Sequence, residues 1–170
     1  MKRSTTIGLC TLALATGIIF SQSDALAARD TASAALPVGT CINMGNMLEP
    51  EREGMWGGAP IAAEDFARIK AAGFETVRIP VRWHNKTLQQ APWTVDDAWM
   101  DRVQEVVDQA LAADLNVILN SHHFDPIHDD PLGVAQWHGA VWAQIAERFE
   151  GYPEDTLWFE LENEPHKNFD

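Results

Sequence analysis

The side chains best suited to acid–base chemistry in this sequence follow a short apolar run near residue 160. Glu160, Glu162, Asn163 and Glu164 lie at its end, and Pro165 fixes the backbone directly behind them. A glutamate held at a strand end among other polar groups is well placed for general acid catalysis, and an asparagine amide beside it can bind a ligand hydroxyl. For an isolated glutamate, a solvated surface carboxylate would be the favoured alternative. Its surroundings therefore make Glu164 the candidate acid.

Three earlier apolar runs also end in polar side chains of these kinds. In parallel α/β folds, ligands bind outside the carboxyl ends of the strands. Four polar clusters at the ends of four runs therefore predict one shared site. The further candidates are Asn43, Asn46 and Glu49 after the first run, Arg78, Arg82, Trp83 and His84 in and after the second, and Asn120, His122 and His123 at the end of the third.

Arg78 lies inside an apolar run, where an unpaired charge would be costly. We therefore expect the guanidinium to pair with a carboxylate at the mouth of the site. A purely structural ion pair is the alternative interpretation.

A metal site is a weaker interpretation of the histidines. His122 and His123 are adjacent on a strand end, so we expect them to point to opposite faces and not to share one ion. With nearby groups they form a conceivable cluster, but neither an HExxH motif nor comparable ligand spacing supports it. We therefore expect no metal. The other members of that cluster would be Asp125, His128, Asp129 and Asp130.

The seven tryptophans divide between core and site. Trp99, Trp137 and Trp142 lie in helical patterns and are expected in the core. Flat aromatic surfaces around a cleft suit sugar rings, whose faces are apolar and whose edges are polar. The tryptophans of the site-side loops, expected to offer such surfaces, are Trp56, Trp83 and Trp93.

The elements that must position these groups alternate between strand and helix. Apolar runs predict strands over 40–45, 76–81, 116–121 and 156–161. Helical spacing predicts helices over about 61–72 and 134–149, and between them a helix that starts at a Thr94–Asp97 capping box and continues to Leu111. This order is the βαβ signature of a parallel sheet with helices outside it. The longer loops follow the strands, where a site is expected.

Composition and charge narrow the class of protein. At 46% hydrophobic and 22% charged residues, the chain is typical of globular proteins. A net charge of -13 excludes nucleic acid as an expected partner, because such binding depends on lysines and arginines that neutralise phosphates. Of the two cysteines, Cys10 lies in the leader described below, so Cys41 alone cannot form an internal disulfide or a thiolate metal site.

The first 27 residues have the pattern of a signal peptide. Lys2 and Arg3 precede an apolar stretch over 7–20, and a small-x-small cleavage pattern follows at 25–27. A membrane anchor is the alternative, but a spanning helix needs about 20 apolar residues. We therefore expect a secreted protein, extracellular or periplasmic, with no membrane contact after cleavage. Residues 28–38 are interpreted as a short lead-in.

Several segments together resemble one enzyme family. In order, they are 42–49 (INMGNMLE), 53–57 (EGMWG), 69–74 (IKAAGF), 77–83 (VRIPVRW), 117–124 (VILNSHHF) and 159–166 (FELENEPH). The set resembles glycoside hydrolase family 5, in the cellulase group, and covers essentially everything after Gly39. The Asn-Glu-Pro segment alone would be weak, but in order with the others it is highly specific.

The resemblance implies a retaining β-glycosidase on a (β/α)₈ TIM barrel that acts on a β-linked polysaccharide without metal or cofactor. It implies that Glu164 is the acid/base, that Asn163 holds the sugar 2-hydroxyl, and that Arg78 supports the charge of the nucleophile. In retaining enzymes this second carboxylate lies roughly 5 Å from the acid/base. The remaining positions that match sugar-site residues of the family are His122 and His123 at the cleavage point, and Asn46 and Glu49 beside it; Trp83 closes the matching segment of the second strand.

Two features depart from the family pattern. Glu162 stands where the family usually has an apolar residue, and it would either raise the pKa of the acid/base or face outward. The match to strands one to four ends near Asp170, whereas a complete barrel takes roughly 250 residues. We therefore interpret 39–170 as the amino-terminal half of an endo-β-1,4-glucanase, inactive alone, with the strand-seven nucleophile absent from this chain. An endo-β-mannanase or xyloglucanase, or a non-catalytic carbohydrate-binding half-barrel, remains an alternative.

Overall fold

The computed structural model describes residues 36–169, whose compact unit begins at Pro37. The predicted signal peptide and most of the lead-in lie outside the described residues. Four strands alternate with helices along the chain. The strands are β1 (Cys41–Asn43), β2 (Thr76–Arg82), β3 (Asn116–His123) and β4 (Leu157–Glu160), and the helices are α1 (Ala63–Ala71), α2 (Asp97–Ala112), α3 (Pro126–Asp129) and α4 (Pro131–Arg148). Single 3₁₀ turns lie at His84–Lys86 and Lys167–Phe169.

The strands form one parallel sheet in the order β1-β2-β3-β4. Each strand therefore pairs with the next one along the chain, and helices return the chain between them. Because all four strands run the same way, their carboxyl ends meet at one edge of the sheet. This confirms the expected βα alternation, although β1 and β4 are shorter than the apolar runs that predicted them.

The starts of the two long helices differ from the sequence predictions. The cap of α2 is Asp96, whose Oδ1 accepts a hydrogen bond from Trp99 N at 2.8 Å, so the predicted Thr94–Asp97 capping box is wrong. Helix α4 starts three residues before the predicted position, because Asp130 caps it by accepting from Gly133 N at 3.0 Å. The short α3 was predicted as loop.

One apolar core joins the sheet to its helices. Its sheet side includes Ile79 and Leu119, and its helix side includes Phe66, Val107 and Ile145. Burying each such side chain contributes about 1.5–3 kcal/mol relative to leaving it in water. On β4 and just after it, two apolar side chains stay exposed: Phe159 at 42% and Leu161 at 63%. The outer side of the last strand is therefore only partly covered.

None of the helices within residues 36–169 combines the length and the apolar character that crossing a membrane requires.

Candidate active site

Arg78 is the centre of the polar network at the carboxyl ends of the strands. It lies on β2 in register with Asn43 of β1, and its Nη1 donates to Asn43 Oδ1 at 2.9 Å. Its Nε and Nη2 donate to the two carboxylate oxygens of Glu160 at 2.7 and 2.6 Å. Nη2 also donates to Asn163 Oδ1 at 2.8 Å. One guanidinium thus ties together groups from both edges of the sheet.

The expected pairing of Arg78 with a carboxylate is confirmed, and the partner is Glu160. The hydrogen bonds from Arg78 lower the pKa of the Glu160 carboxyl, and those same bonds raise the pKa of the guanidinium. Asn120 Nδ2 adds a further donor to Glu160 at 3.3 Å. Glu160 belongs to the polar cluster predicted at the end of the fourth run, but the sequence did not identify it as the partner of Arg78. Strand register was the signal that could have found it, because Glu160 pairs with Asn120, two residues after Ile118, which pairs with Arg78.

His122 and His123 lie on the same side of β3, with ring centres 4.9 Å apart. The prediction that they point to opposite faces is therefore wrong. The register between β2 and β3 shifts at this point, because Val81 pairs with Ser121 while Arg82 pairs with His123. His122 is thus an extra residue in the ladder, and such a bulge interrupts the alternation of side chains.

His122 is a neutral imidazole over most of the pH range. Burial, together with the neighbouring His123 and the cation of Arg78, lowers the pKa of His122 to about 4. Its Nε2 lies 3.0 Å from Glu49 Oε1. The buried Nδ1 has no protein partner among the described residues. It is the atom with which His122 can accept a hydrogen bond from a ligand hydroxyl.

His123 forms the outer rim of the same region. Burial, together with the charge of Arg82, lowers the pKa of its imidazole. The indole of Trp56, itself 50% exposed, meets the His123 ring edge to face at 6.2 Å between ring centres. Within residues 36–169, the His, Cys, Asp and Glu side chains form no group of three or more that could hold a metal ion.

Glu164 is exposed beside a cleft of about 450 Å³ that is also lined by His122, His123 and Asn163. Its backbone has a φ of 45°, which is unusual for a residue with a side chain and marks a constrained turn. The turn is held on one side by Asn163 N, which donates to Ser121 O at 2.8 Å. On the other side, His166 Nδ1 lies 2.7 Å from Glu164 O.

Two predicted sugar contacts are buried instead. Trp83 is fully buried and donates from Nε1 to Asn120 O at 3.1 Å, so the expectation that it offers a surface to substrate is wrong. Glu49 is buried as well, and its carboxylate accepts from the backbone N–H of Asn46 in addition to facing His122. Glu49 therefore contacts both His122 and the backbone of Asn46. Asn46 lies in a turn and has a φ of 65°.

The expectation that Glu162 faces outward is wrong, because its side chain is buried. Its carboxylate faces inward, where Ser121 Oγ donates to Oε2 at 2.9 Å. Asn163, in contrast, binds Arg78, so Glu162 and Asn163 face different sides of the sheet edge.

A larger cavity, of about 780 Å³, lies between residues 85–88 and 94–99. Two of its charged groups have partners: Asp96 caps α2, and Lys86 Nζ lies 4.2 Å from the centre of the Trp99 ring. The cavity shares no residue with the network around Arg78.

Together, these features define a class of protein. Parallel βα units that place a glutamate, an asparagine and two imidazoles at the carboxyl ends of their strands are the arrangement of (β/α)₈-barrel glycosidases. A model of the cellulase family, glycosyl hydrolase family 5, matches residues 38–170, and the chain therefore belongs to that family. The resemblance noted from the sequence is confirmed.

Similar proteins carry endoglucanase names. The chain is 44% identical to Endoglucanase H of Acetivibrio thermocellus over 131 residues, which are 77% of this chain and 14% of that protein. It is 38% identical to Endoglucanase B of Ruminococcus albus, over 72% of this chain and 32% of that protein.

Solved structures agree with these relatives. The endoglucanase Cel5A of Thermotoga maritima superposes with a TM-score of 0.74 at 44% identity, over 78% of this chain and 42% of that one. The same enzyme has been solved with cellobiose and with mannotriose. The chain thus spans less than half the length of each of these relatives, and its sheet corresponds to part of a (β/α)₈ barrel.

Proposed function

We propose that this chain is the acid/base half of a retaining endo-β-1,4-glucanase that hydrolyses cellulose-like β-glucans. The observation that carries this is the joint placement of Glu164, Asn163 and His122 around one cleft, with Arg78 holding the Asn163 amide. The endoglucanase names of the relatives support the choice of substrate class.

The geometry gives each side chain a role in that reaction. Exposed at the cleft, Glu164 donates a proton to the leaving glycosidic oxygen and later removes one from water. Because Asn163 Oδ1 accepts from Arg78, the amide nitrogen of Asn163 is the atom that can donate to a sugar hydroxyl. Neutral His122 offers Nδ1 to another hydroxyl, and Glu49 fixes its ring.

The nucleophile of this mechanism comes from outside residues 36–169. Within them, Glu160 is the carboxylate closest to the network, but both of its oxygens accept from Arg78. A carboxylate held in a bidentate pair with arginine is a poor nucleophile, because attack would break two charge-assisted hydrogen bonds. In retaining enzymes the second carboxylate must also lie roughly 5 Å from the acid. Barrel strands outside the matched part of the family would supply the nucleophile.

The test uses the longest natural protein that contains this chain, called the native polypeptide below. We expect it to cleave carboxymethylcellulose internally, so that viscosity falls faster than reducing ends appear. Binding to insoluble glucan with no cleavage would overturn the enzyme proposal and favour a non-catalytic carbohydrate-binding protein. The sequence of the native polypeptide should also contain a glutamate at the end of a seventh strand.

Mannan is the second candidate substrate, because a relative of 43% identity has been solved with mannotriose. Parallel assays on cello- and manno-oligosaccharides of equal length separate the two. A higher kcat/KM for the cello-series supports the glucanase proposal, and a higher value for the manno-series overturns it.

Export is part of the same proposal. It is supported by the charged, apolar and small-residue segments of the first 27 residues. Amino-terminal sequencing of the protein from the culture medium or periplasm should give Ala28 as the first residue, and an uncleaved intracellular protein would contradict export.

A further inference from the structure

Glu162 is a buried carboxylate that the proposed mechanism does not use. Its side chain is 2% exposed, and groups from three different elements surround it. Ser121 Oγ on β3 donates to it at 2.9 Å, His138 Nε2 on α4 lies at 3.4 Å, and His128 Nε2 on α3 lies at 3.6 Å. A charge at such a position is costly unless polar partners compensate it.

Ser121 also binds the segment 161–166, which carries the proposed acid/base Glu164. Ser121 donates from its hydroxyl to Glu162 and accepts at its carbonyl from Asn163 N, at 2.8 Å. Two consecutive residues of the segment are thus bound to one residue of β3. Directly before them, Leu161 O accepts from Trp142 Nε1 of α4 at 3.1 Å, and it lies 3.2 Å from His138 Nε2.

A second series of contacts links Glu162 to Glu164 through His128 and His166. The ring of His128, which faces Glu162, stacks on the ring of His166 with centres 3.8 Å apart and planes tilted by 21°. His166 Nδ1 in turn lies 2.7 Å from the carbonyl oxygen of Glu164. The constrained turn at Glu164 therefore has a contact on each side that leads back to Glu162.

The residue type at this position is informative. An apolar side chain would fill the same space without needing any partner. The carboxylate instead faces two imidazoles and a hydroxyl, and each of those groups has a further contact with residues 161–166. Only a polar side chain at this position can make these contacts.

We propose that Glu162 is a positioning residue that orients Asn163 and Glu164 through Ser121, His128 and His138. This rests on the proposed function for its effect on turnover, but the orientation itself can be measured without turnover. The carboxylate touches no substrate in this account.

The kinetic test replaces Glu162 in the native polypeptide. Glu162→Leu restores an apolar residue, removes both imidazole contacts and leaves Ser121 Oγ without its acceptor. We expect kcat on cello-oligosaccharides to fall about tenfold with KM changed less than twofold, because small displacements of a catalytic group act on the chemical step. Glu162→Gln, which keeps the shape and the acceptor for Ser121, should recover at least half of the loss. Unchanged kcat in Glu162→Leu, or equal changes in kcat and KM, would overturn the proposal.

Hydrogen exchange separates this proposal from the proposed function. In Glu162→Leu, the amide of Asn163 should exchange at least about tenfold faster, and in Glu162→Gln the increase should be smaller, while the amide of Val117 in the same sheet keeps its rate in both variants. Glu150→Gln, which removes an exposed carboxylate just after α4, is the matched control and should change neither rate. Unchanged exchange at Asn163 would overturn the positioning role even in an active enzyme. Faster exchange in a protein without glucanase activity would retain the positioning role and reject the proposed function.

Discussion

At the scale of single residues, the site depends on which acceptors the guanidinium nitrogens of Arg78 bind. Its planar fork reaches Glu160 with two nitrogens, and the same guanidinium also holds Asn163 and Asn43. Lysine could not reproduce these contacts, because an ammonium group has no fixed bidentate geometry. Arg78 thus fixes the orientation of the Asn163 amide, which contacts substrate in the proposed mechanism.

His122 gives a prediction about pH. Because its pKa is lowered to about 4 from an ordinary value of 6.5, the unfolded chain binds a proton between these values and the folded chain does not. Stability should therefore fall as the pH drops from about 6.5 to 4, and should be unaffected by this group above that window. Below about pH 4, the penalty is complete.

Two measurements on the native polypeptide check this prediction. The C2 proton of His122 should titrate in an NMR experiment with a midpoint near 4. The free energy of unfolding from urea titrations should depend less on pH, between 6.5 and 4, in His122→Asn than in the natural protein. A midpoint near 6.5, with identical pH dependence in the two proteins, would contradict the account.

The sequence predicted most of the site residues but not which of them are buried. Glu164, Asn163, His122 and His123 do line one cleft, because strand ends of a parallel sheet must meet. The burial of Trp83 could not be predicted, because it depends on where the carbonyl of Asn120 lies on the neighbouring strand.

At the scale of elements, the carboxyl end of β3 is where local pattern and structure disagree. The bulge that brings His122 and His123 to one side comes from the register with β2. Register is a property of two strands together, so a single run of residues does not encode it. The βα order, in contrast, follows from apolar spacing within each segment, and it was predicted correctly.

The start of α2 yields a prediction about capping. Asp96→Ala removes the acceptor for Trp99 N and should lower the free energy of unfolding by about 1 kcal/mol. Asp97→Ala removes the same charge one residue later and should cost only a few tenths of a kcal/mol through the helix dipole. Urea denaturation of the two variants measures both. A larger loss in Asp97→Ala would favour a cap at a different residue. The Thr94–Asp97 pattern placed the cap two residues too early, because a local pattern does not show which side chain meets the first free N–H groups of the helix.

At the scale of the whole molecule, the sheet ends on a strand that is only partly covered. Phe159 and Leu161 are 42% and 63% exposed on and after β4. In a complete (β/α)₈ barrel, the helix that follows a strand packs against its outer face. This agrees with the chain matching only 42% of the Thermotoga enzyme.

This exposure predicts the behaviour of the isolated 170-residue chain. It should bind a hydrophobic dye more strongly than the native polypeptide does, and replacing Phe159 and Leu161 by serine should remove most of the difference. Leu132→Ser is the matched control, because Leu132 is 90% exposed at the start of α4, away from β4. An equal loss of dye binding in the control would contradict the assignment of the uncovered surface to β4.

The identity of the acid/base tests the whole account most directly. In the native polypeptide, Glu164→Gln should reduce turnover of carboxymethylcellulose by about 10²–10⁴-fold, since the proton donor and the base for water are lost together. With an aryl β-cellobioside, whose leaving group needs no proton, added azide should restore turnover and release β-cellobiosyl azide, because azide attacks the glycosyl-enzyme without a general base. Near-normal hydrolysis of carboxymethylcellulose by Glu164→Gln would contradict the proposed role of Glu164. A loss of turnover on the aryl β-cellobioside that azide does not reverse would contradict it as well.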